Sequence, residues 1–224
     1  RQPQQPGLQR LLSRLPPTEG SWLLDVGCGN GRFAHLLDHA GHRLHYVGVD
    51  ANRRLLELAR GQAMGLQSVR SAFIQRDITS PDWMVGLPHR PFQTIVVLAV
   101  LHHMPSWELR RDLLAQLRAL LSGNGCLAVS TWQFLNEERL RRKIVPWERA
   151  GLTQADLEPG DYLLDWQRGG AGLRYCHLVD EEELLTLAER AGFTPREMFY
   201  ADGQRGNLNL FGLLRPAVQQ SQQT

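Results

Sequence analysis

The segment DVGCGNGR carries the residue types most suggestive of chemistry in this chain. Gly27, Gly29 and Gly31 alternate behind an apolar run, and Asp25 precedes them. Glycines at such a turn permit positive φ angles and let a ligand approach the backbone closely. The spacing differs from the dinucleotide fingerprint G-x-G-x-x-G, because the third glycine comes one residue early. A carboxylate beside the turn would repel a pyrophosphate, so the pattern favours a ligand with an amine or another cation.

Two further acids follow later predicted strands. Asp50 ends the second strand, about 25 residues beyond Asp25, where an acid commonly accepts hydrogen bonds from ribose hydroxyls. Asp77 follows the third strand, where a carboxylate could accept a hydrogen bond from an adenine amino group. One ligand with an amino-acid end, a ribose and an adenine is S-adenosyl-L-methionine. The alternatives are a turn that only needs glycine, an NAD site, and carboxylates that cap loops.

These acids meet only if their strands lie in one parallel sheet. Predicted strands and helices alternate from residue 22 to residue 131, which is typical of parallel strands joined by right-handed crossovers. We expect strands at residues 22–26, 44–49, 71–75, 92–99, 125–131, 194–200 and 207–214. The turn-rich ADGQRG between the last two favours an antiparallel pair. The predicted fold class is therefore α/β, a doubly wound, mostly parallel Rossmann-like sheet with an antiparallel last strand.

Residues 132–172 interrupt this alternation. The segment is polar, rich in arginine and punctuated by Pro, Gly and Trp. We interpret it as an insertion after the fifth strand of a single domain that spans residues 1–224. Its run ERLRRK, residues 138–143, would suit contacts with phosphates, although a solvated helix face is the simpler interpretation.

Taken together, DVGCGNGR, VGVD, RDI and the helix-capping LSGNG resemble the class I S-adenosylmethionine-dependent methyltransferases. The resemblance covers residues 23–131 and implies S-adenosyl-L-methionine as the cofactor. By the family pattern, Asp25 and the backbone of the glycine loop face the methionine end, and Asp50 holds the ribose. Asp77 and the Ile78 amide bind the adenine. The full predicted cofactor set is Asp25, Gly27, Cys28, Gly29, Gly31, Asp50, Ala51, Asp77, Ile78 and Leu98.

A second resemblance runs through most of the chain. AVLHH after the fourth strand, an arginine-rich helix, Val-Pro-Trp in the insertion and RYCHLV before a Glu-Leu helix are similar to the tRNA wobble-uridine carboxymethyl methyltransferases. That family esterifies a carboxymethyl group on the first base of the anticodon. The chain departs from the family pattern at Cys176, where Tyr is usual, and at Val179, where Phe is usual. These departures bear on base recognition more than on methyl transfer.

This second resemblance implies the acceptor site and the partners. The candidate catalytic residues are Arg174, His177, His103 and Tyr175. An acceptor carboxylate is ionised at neutral pH and needs no general base, so Arg174 would hold it as a bidentate clamp. His177 would complete the site, together with His102 or His103. Tyr175 or Trp147 would stack on an unpaired base. The expected partner is a tRNA anticodon loop, and eukaryotic members of the family also work with a small zinc-binding activator subunit.

Other functions stay open at this point. A small-molecule methyltransferase that uses the insertion as a lid fits the modest net charge of +2. A non-catalytic subunit that binds the cofactor is a third alternative, from a different class of protein. The candidate residues also have structural interpretations. Arg174 would then pair with Glu181 or Glu182 at the surface, the paired histidines would hydrogen-bond a loop, and Trp147 would anchor a core.

The bulk composition sets the remaining expectations. The 224 residues are 42% hydrophobic and 21% charged, as in an ordinary soluble domain. Cys28, Cys126 and Cys176 are widely spaced and form no C-x-x-C pair, which favours reduced thiols in a cytoplasmic protein and no metal site. No apolar run reaches the roughly 18 residues that span a bilayer, so no membrane association is expected.

Overall fold

The computed structural model describes residues 5–16, 19–166 and 172–218, and a seven-stranded sheet lies at its centre. The strands are β1 (Ser21–Val26), β2 (Leu44–Asp50), β3 (Val69–Gln75), β4 (Phe92–Leu98), β5 (Leu121–Trp132), β6 (Ile144–Val145), β7 (Asp161–Trp166), β8 (Gly172–His177), β9 (Phe193–Ala201) and β10 (Asn209–Pro216). The order in the central sheet is β3-β2-β1-β4-β5-β10-β9. The first five strands pair in parallel, and β10 is antiparallel to β5 and β9. This topology confirms the predicted fold class.

Helices pack on both faces of the central sheet. They are α1 (Pro6–Leu12), α2 (Arg32–His39), α3 (Arg53–Ala63), α4 (Trp107–Leu120), α5 (Glu138–Arg141) and α6 (Glu181–Arg190). Two apolar clusters fill the space between the helices and the sheet. Adjacent β1 residues Leu23 and Leu24 belong to different clusters, because successive side chains of a strand point to opposite faces.

The sequence of β4 shows why a central strand forms here. Ile95, Val96 and Val97 are each 0% exposed, so the strand is buried on both faces as its continuous apolar run predicts. The helix that follows starts at Ser106, whose hydroxyl accepts a hydrogen bond of 3.2 Å from the Leu109 amide and so caps α4. Together these features fix the carboxyl end of β4 and the loop after it.

The start of β5 differs from the prediction. The segment SGNG was expected to precede a strand at Gly125, but β5 begins at Leu121, directly after α4. Leu121 pairs with Phe92 before the register shifts, and regular pairing resumes at Cys126. A Cβ on Gly125 would lie 2.6 Å from the Leu121 side chain, so glycine permits this irregular strand.

The insertion folds around a second sheet. Strands β6, β7 and β8 form this antiparallel sheet, which we call the insertion sheet. A small separate core supports it and consists of Phe134, Leu140, Leu164 and Cys176. Because β8 continues to His177, the insertion sheet extends beyond the predicted boundary at residue 172. Residues 167–171 of the predicted insertion lie outside the described part of the chain.

In the described ranges of the chain, every helix is too short or too polar to cross a lipid bilayer.

Candidate functional site

A cavity of about 310 Å³ opens at the carboxyl ends of β1 and β4. Parallel α/β sheets bind ligands at this edge. Its lining includes four predicted cofactor residues, Asp25, Gly27, Cys28 and Leu98. It also includes residues that no motif marked, among them Gln5, Leu8, Ser130, Asp202 and Phe211. Of these residues, Asp202 was the one that the sequence could have indicated. The turn ADGQRG follows β9, which runs in the same direction as β5, so this turn lies at the same edge of the sheet as the ends of β1 and β4.

The glycine loop has the positive φ angles that its sequence predicts. Gly27, Gly29 and Gly31 have φ values of 78°, 55° and 75°. A Cβ on Gly27 would lie 2.4 Å from the Val100 side chain, so this position tolerates only glycine without movement of the segment after β4. At Gly29, no heavy atom of the described residues lies within 4 Å of the position that a Cβ would take. The backbone there is open to a ligand.

Asp25 is the buried acid of this cavity, with 2% of its surface exposed. Burial is the main cause that raises the pKa of its carboxyl to about 7, and the nearby Asp50 carboxylate adds to the rise. The Tyr46 hydroxyl donates a hydrogen bond of 2.5 Å to Asp25 Oδ2 and acts in the opposite direction. A ligand ammonium would favour the ionised carboxylate and offset the cost of burying it.

Asp50 connects the second strand to the glycine loop. Its Oδ2 atom accepts a hydrogen bond of 2.8 Å from the Gly29 amide. Its Oδ1 atom accepts a hydrogen bond of 2.7 Å from the backbone amide of Asn52, and Ala51 is the residue between the two. The Asp50 carboxylate thus lies beside the most open part of the loop, where a ribose would need an acceptor for its hydroxyls.

Asp77 and Ile78 lie farther along the same edge of the sheet. Asp77 is exposed, and its Oδ1 atom accepts hydrogen bonds of 2.9 Å from the Thr79 amide and 2.7 Å from the Thr79 hydroxyl. These bonds lower the pKa of the Asp77 carboxyl. The Arg76 amide donates to the Asp50 carbonyl at 3.0 Å and so ties the ends of β2 and β3 together. The predicted role of Asp77 and Ile78 in adenine binding stays a prediction.

These features fit S-adenosyl-L-methionine better than a dinucleotide. Asp25, a carboxylate directly before the glycine loop, would repel a pyrophosphate, whereas an acid at the position of Asp50 suits a ribose in either ligand. A cationic amino-acid end would instead find a buried acid, and ribose hydroxyls would find a second acid beside an open backbone. The individual contacts of the predicted cofactor residues stay predictions.

Two histidines follow the end of β4 that lines this cavity, and the cation of Arg174 lies near them. Arg174 extends from β8 over the Trp166 ring, with its guanidinium carbon 3.9 Å from the ring centroid. Among the described residues, no carboxylate forms an ion pair with Arg174. Burial is the main cause that lowers the pKa of both His102 and His103, and the Arg174 charge adds to it. Both histidines belong to the turn that follows β4, directly after Leu98 and the cavity wall.

Comparison with known sequences defines the family. Residues 2–197 match the family described as Methyltransferase domain. The chain belongs to this methyltransferase family. As a methyltransferase whose cavity combines two acids with an open glycine loop, it uses S-adenosyl-L-methionine as its methyl donor.

Two curated relatives and one solved structure are similar to this methyltransferase. It is 28% identical to the tRNA (carboxymethyluridine(34)-5-O)-methyltransferase of Xenopus tropicalis, over 59% of the chain and 18% of that protein. It is 31% identical to a trans-aconitate 2-methyltransferase of Methylobacterium nodulans, over 60% of the chain and 48% of that protein. The matched part thus spans less than half of either relative. A crystal structure of a SAM-dependent methyltransferase from Methanosarcina mazei superposes with a TM-score of 0.69 at 20% identity, covering 90% of the chain and 94% of that structure, which shows a shared fold.

Cofactor binding by the methyltransferase should depend on pH through Asp25. In the free protein this carboxyl is protonated below its pKa of about 7, whereas a bound cationic cofactor favours the ionised form, so binding releases a proton. The affinity should rise with pH by roughly fivefold between about pH 6 and about pH 7, a range in which the ammonium of the cofactor stays mostly protonated. Titration calorimetry with S-adenosyl-L-methionine measures this difference. Asp25→Asn should remove it, and equal wild-type affinities at both pH values would show that Asp25 does not face the cofactor cation.

A cluster of buried charges joins the insertion to the methyltransferase core. Arg110 of α4 is 1% exposed. Its guanidinium donates hydrogen bonds to Glu158 at 2.8 Å, to Glu183 of α6 at 3.0 Å and to the Met104 carbonyl at 2.8 Å. Glu158 precedes β7, and Met104 follows the two histidines. Arg110 therefore fixes the insertion and the histidine-bearing turn relative to each other.

His177 and Tyr175, two of the predicted catalytic residues, belong to this charge cluster. The His177 ring bonds to Asp161 through Nδ1 and to Glu183 through Nε2, both at 2.7 Å. Although burial opposes the change, these two bonds raise the pKa of His177 above its ordinary value. The Tyr175 hydroxyl donates to Asp161 at 2.6 Å. The polar atoms of both residues therefore bond acids inside the protein, and their predicted roles in binding an acceptor stay predictions.

The same cluster has some features of a metal site. Ligand atoms of Glu158, Asp161 and His177 lie within 4.8 Å of one another. However, the Arg110 guanidinium already neutralises Glu158, and Asp161 accepts hydrogen bonds from two side chains. We therefore interpret the cluster as an ion-pair network that holds the insertion in place, and we assign no metal ion to it.

Proposed function

We propose that this methyltransferase esterifies a carboxylate, and that the carboxylate belongs to a carboxymethyl group on a tRNA wobble uridine. The proposal rests mainly on the position of Arg174. Its guanidinium lacks an acidic partner among the described residues, stacks on Trp166 and lies close enough to His102 and His103 to lower the pKa of both. A partly buried cation of this kind, near the histidine-bearing turn that follows the cavity-lining end of β4, is suited to an anionic acceptor.

The proposed reaction requires little acid–base catalysis by the protein. When bound, S-adenosyl-L-methionine supplies an electrophilic methyl group. A carboxylate acceptor is already ionised at neutral pH, so no side chain has to remove a proton. The lowered pKa values of His102 and His103 keep both rings uncharged, which leaves Arg174 as the cation that holds the acceptor. The contribution of the protein is then mainly to align the acceptor oxygen with the methyl carbon.

The acceptors named for the relatives agree with this choice. The name of the Xenopus tropicalis relative specifies carboxymethyluridine, and that of the Methylobacterium nodulans relative specifies trans-aconitate. Both molecules carry a carboxylate. The shared chemistry supports carboxylate methylation for this chain, whichever of the two acceptor classes it uses.

Aromatic rings beside Arg174 favour a nucleobase over a small acid. Trp166 and Trp132 meet edge to face with ring centroids 6.3 Å apart. Trp147 and Tyr175 lie with ring centroids 6.2 Å apart, and both are partly exposed. Unpaired RNA bases commonly stack on such rings and on guanidinium planes. The predicted stacking roles of Trp147 and Tyr175 use their ring faces, which the hydrogen bond of Tyr175 leaves unchanged.

A small-molecule acceptor is the second candidate, since one relative is named for trans-aconitate. The insertion would then act as a lid over the acceptor. The test uses labelled S-adenosyl-L-methionine with two anticodon stem-loop RNAs that differ only in a carboxymethyl group on the wobble uridine, and with trans-aconitate. We expect label in the carboxymethylated RNA alone. Faster transfer to trans-aconitate would favour the second candidate, and transfer to both RNAs would place the methyl group elsewhere on the RNA.

A further inference from the structure

A second pocket of about 310 Å³ lies beside the insertion and is lined by arginines from two separate segments. Arg139, Arg141 and Arg142 come from α5 and the residue after it, and Arg205 comes from the turn between β9 and β10. The amide side chains of Asn136 and Gln204 complete its polar wall. We call it the arginine pocket. Because these cations converge on one pocket from two separate segments, they form a different arrangement from like charges along one solvated helix face.

Acidic residues compensate only part of this charge. Glu137 and Glu138 also line the arginine pocket. Arg142 forms an ion pair with Glu138, and Arg139 lies 3.6 Å from Glu137. Arg205 forms no ion pair within the described segments of the chain. Four guanidinium groups therefore face two carboxylates, and the pocket keeps an excess of positive charge.

The arginine pocket is adjacent to the methyl-donor cavity through a shared turn. Asp202 lines the cavity, and Gln204 lines the arginine pocket two residues later. Two residues of extended chain span at most about 7 Å, so the two sites are close neighbours. The Asn136 side chain donates to the Asn207 carbonyl at 2.8 Å, and the Gln204 amide donates to Glu137 at 3.2 Å, which holds the turn against the insertion.

We propose that the arginine pocket binds a backbone phosphate of the RNA acceptor, close to the nucleotide that is methylated. This inference rests on the proposed function, because only a polymeric acceptor would reach from the cavity into the neighbouring pocket. The planar fork of a guanidinium matches a phosphate in a bidentate manner. An acidic peptide would need the same charge, but it would not deliver the wobble carboxylate to Arg174.

The test compares two double variants that each lose two positive charges. R139Q/R205Q removes charge from the arginine pocket. R43Q/R70Q is the matched control, because Arg43 and Arg70 line a different surface pocket next to the starts of β2 and β3, at the opposite end of the strands. The probe is an unmodified anticodon stem-loop RNA, and its affinity is measured by fluorescence anisotropy over a series of salt concentrations. Thermal unfolding verifies that both variants fold.

We expect R139Q/R205Q to bind the stem-loop about tenfold more weakly and to lower the slope of log K against log salt by about one to two units. R43Q/R70Q should change the affinity less than about twofold. The charge-preserving R139K/R205K should keep the wild-type slope. Equal slopes for wild type and R139Q/R205Q, or an equal loss in the control, would overturn the inference.

The proposed function and this inference fail in different ways. If R139Q/R205Q weakens RNA binding but carboxymethylated RNA gains no label, the phosphate site stands and the acceptor proposal is wrong. If that RNA is methylated but the salt slopes are equal, the acceptor proposal stands and the phosphate site is wrong.

Discussion

Replacing Arg110 with methionine is expected to lower the free energy of unfolding by about 3 kcal/mol, the lower end of the usual cost of breaking a buried ion pair. The guanidinium is 1% exposed, whereas Glu158 is 31% exposed, so solvent screens part of the loss. The substitution leaves Glu158 without its cation, Glu183 with His177 as its remaining partner, and the Met104 carbonyl without its donor. Methionine retains much of the apolar volume, so the effect is mainly electrostatic. Urea denaturation followed by circular dichroism measures the change.

The neighbouring residue supplies the control. Arg111 pairs with Asp112 at the surface, and Arg111→Met should change the free energy of unfolding by less than about 0.5 kcal/mol. Combining Arg110→Met with Glu158→Gln and Glu183→Gln should recover part of the loss, because the uncompensated carboxylates are then removed. If Arg110→Met were as stable as Arg111→Met, the charge cluster would not be what holds the insertion to α4.

Arg174→Gln is expected to lower kcat/KM for the carboxylate acceptor by about tenfold to a hundredfold, as the loss of a charge-assisted hydrogen bond implies. The affinity for S-adenosyl-L-methionine should stay within about twofold of the wild-type value, because Arg174 acts on the acceptor rather than the donor. Stability should change little, since no carboxylate of the described residues depends on this guanidinium. Initial-rate kinetics and cofactor titration separate the two effects.

Arg149→Gln is a matched control from the same insertion. Arg149 lies 3.6 Å from Asp165 and is half exposed, so its replacement removes one charge without removing an unpaired cation. Its kcat/KM should remain close to the wild-type value. Equal losses of cofactor affinity and turnover in Arg174→Gln would place Arg174 in structural support instead of acceptor binding.

The cofactor side of the molecule was largely predictable from the sequence, because local patterns determine it. A continuous apolar run predicts β4, and the strands predicted at residues 22–26 and 44–49 lie within β1 and β2. The glycines of the loop have the predicted positive φ angles. Parallel strands then bring Asp25 and Asp50 to one edge without further information. The irregular start of β5 departed from the prediction, because a register shift depends on contacts that Leu121 makes within the sheet.

The acceptor side was less predictable, because distant residues determine it. His177 bonds to Asp161 in β7 and to Glu183 in α6, and neither contact follows from the local sequence RYCH. Arg110 looked like one of several arginines on an amphipathic helix, although its partners lie 48 and 73 residues away in the chain. The orientation of these side chains depends on how the insertion sheet packs against α4 and α6, which periodicity alone does not determine.

The chemical nature of the methylated product tests the central claim most directly. Carboxymethylated stem-loop RNA is incubated with the protein and methyl-labelled S-adenosyl-L-methionine, isolated, and treated with mild alkali. Esterification of a carboxylate predicts that the label leaves the RNA as methanol and that the carboxymethyl group is regenerated. Label that stays on the RNA after this treatment would show a methyl group on nitrogen, carbon or a hydroxyl oxygen, and would contradict carboxylate methylation.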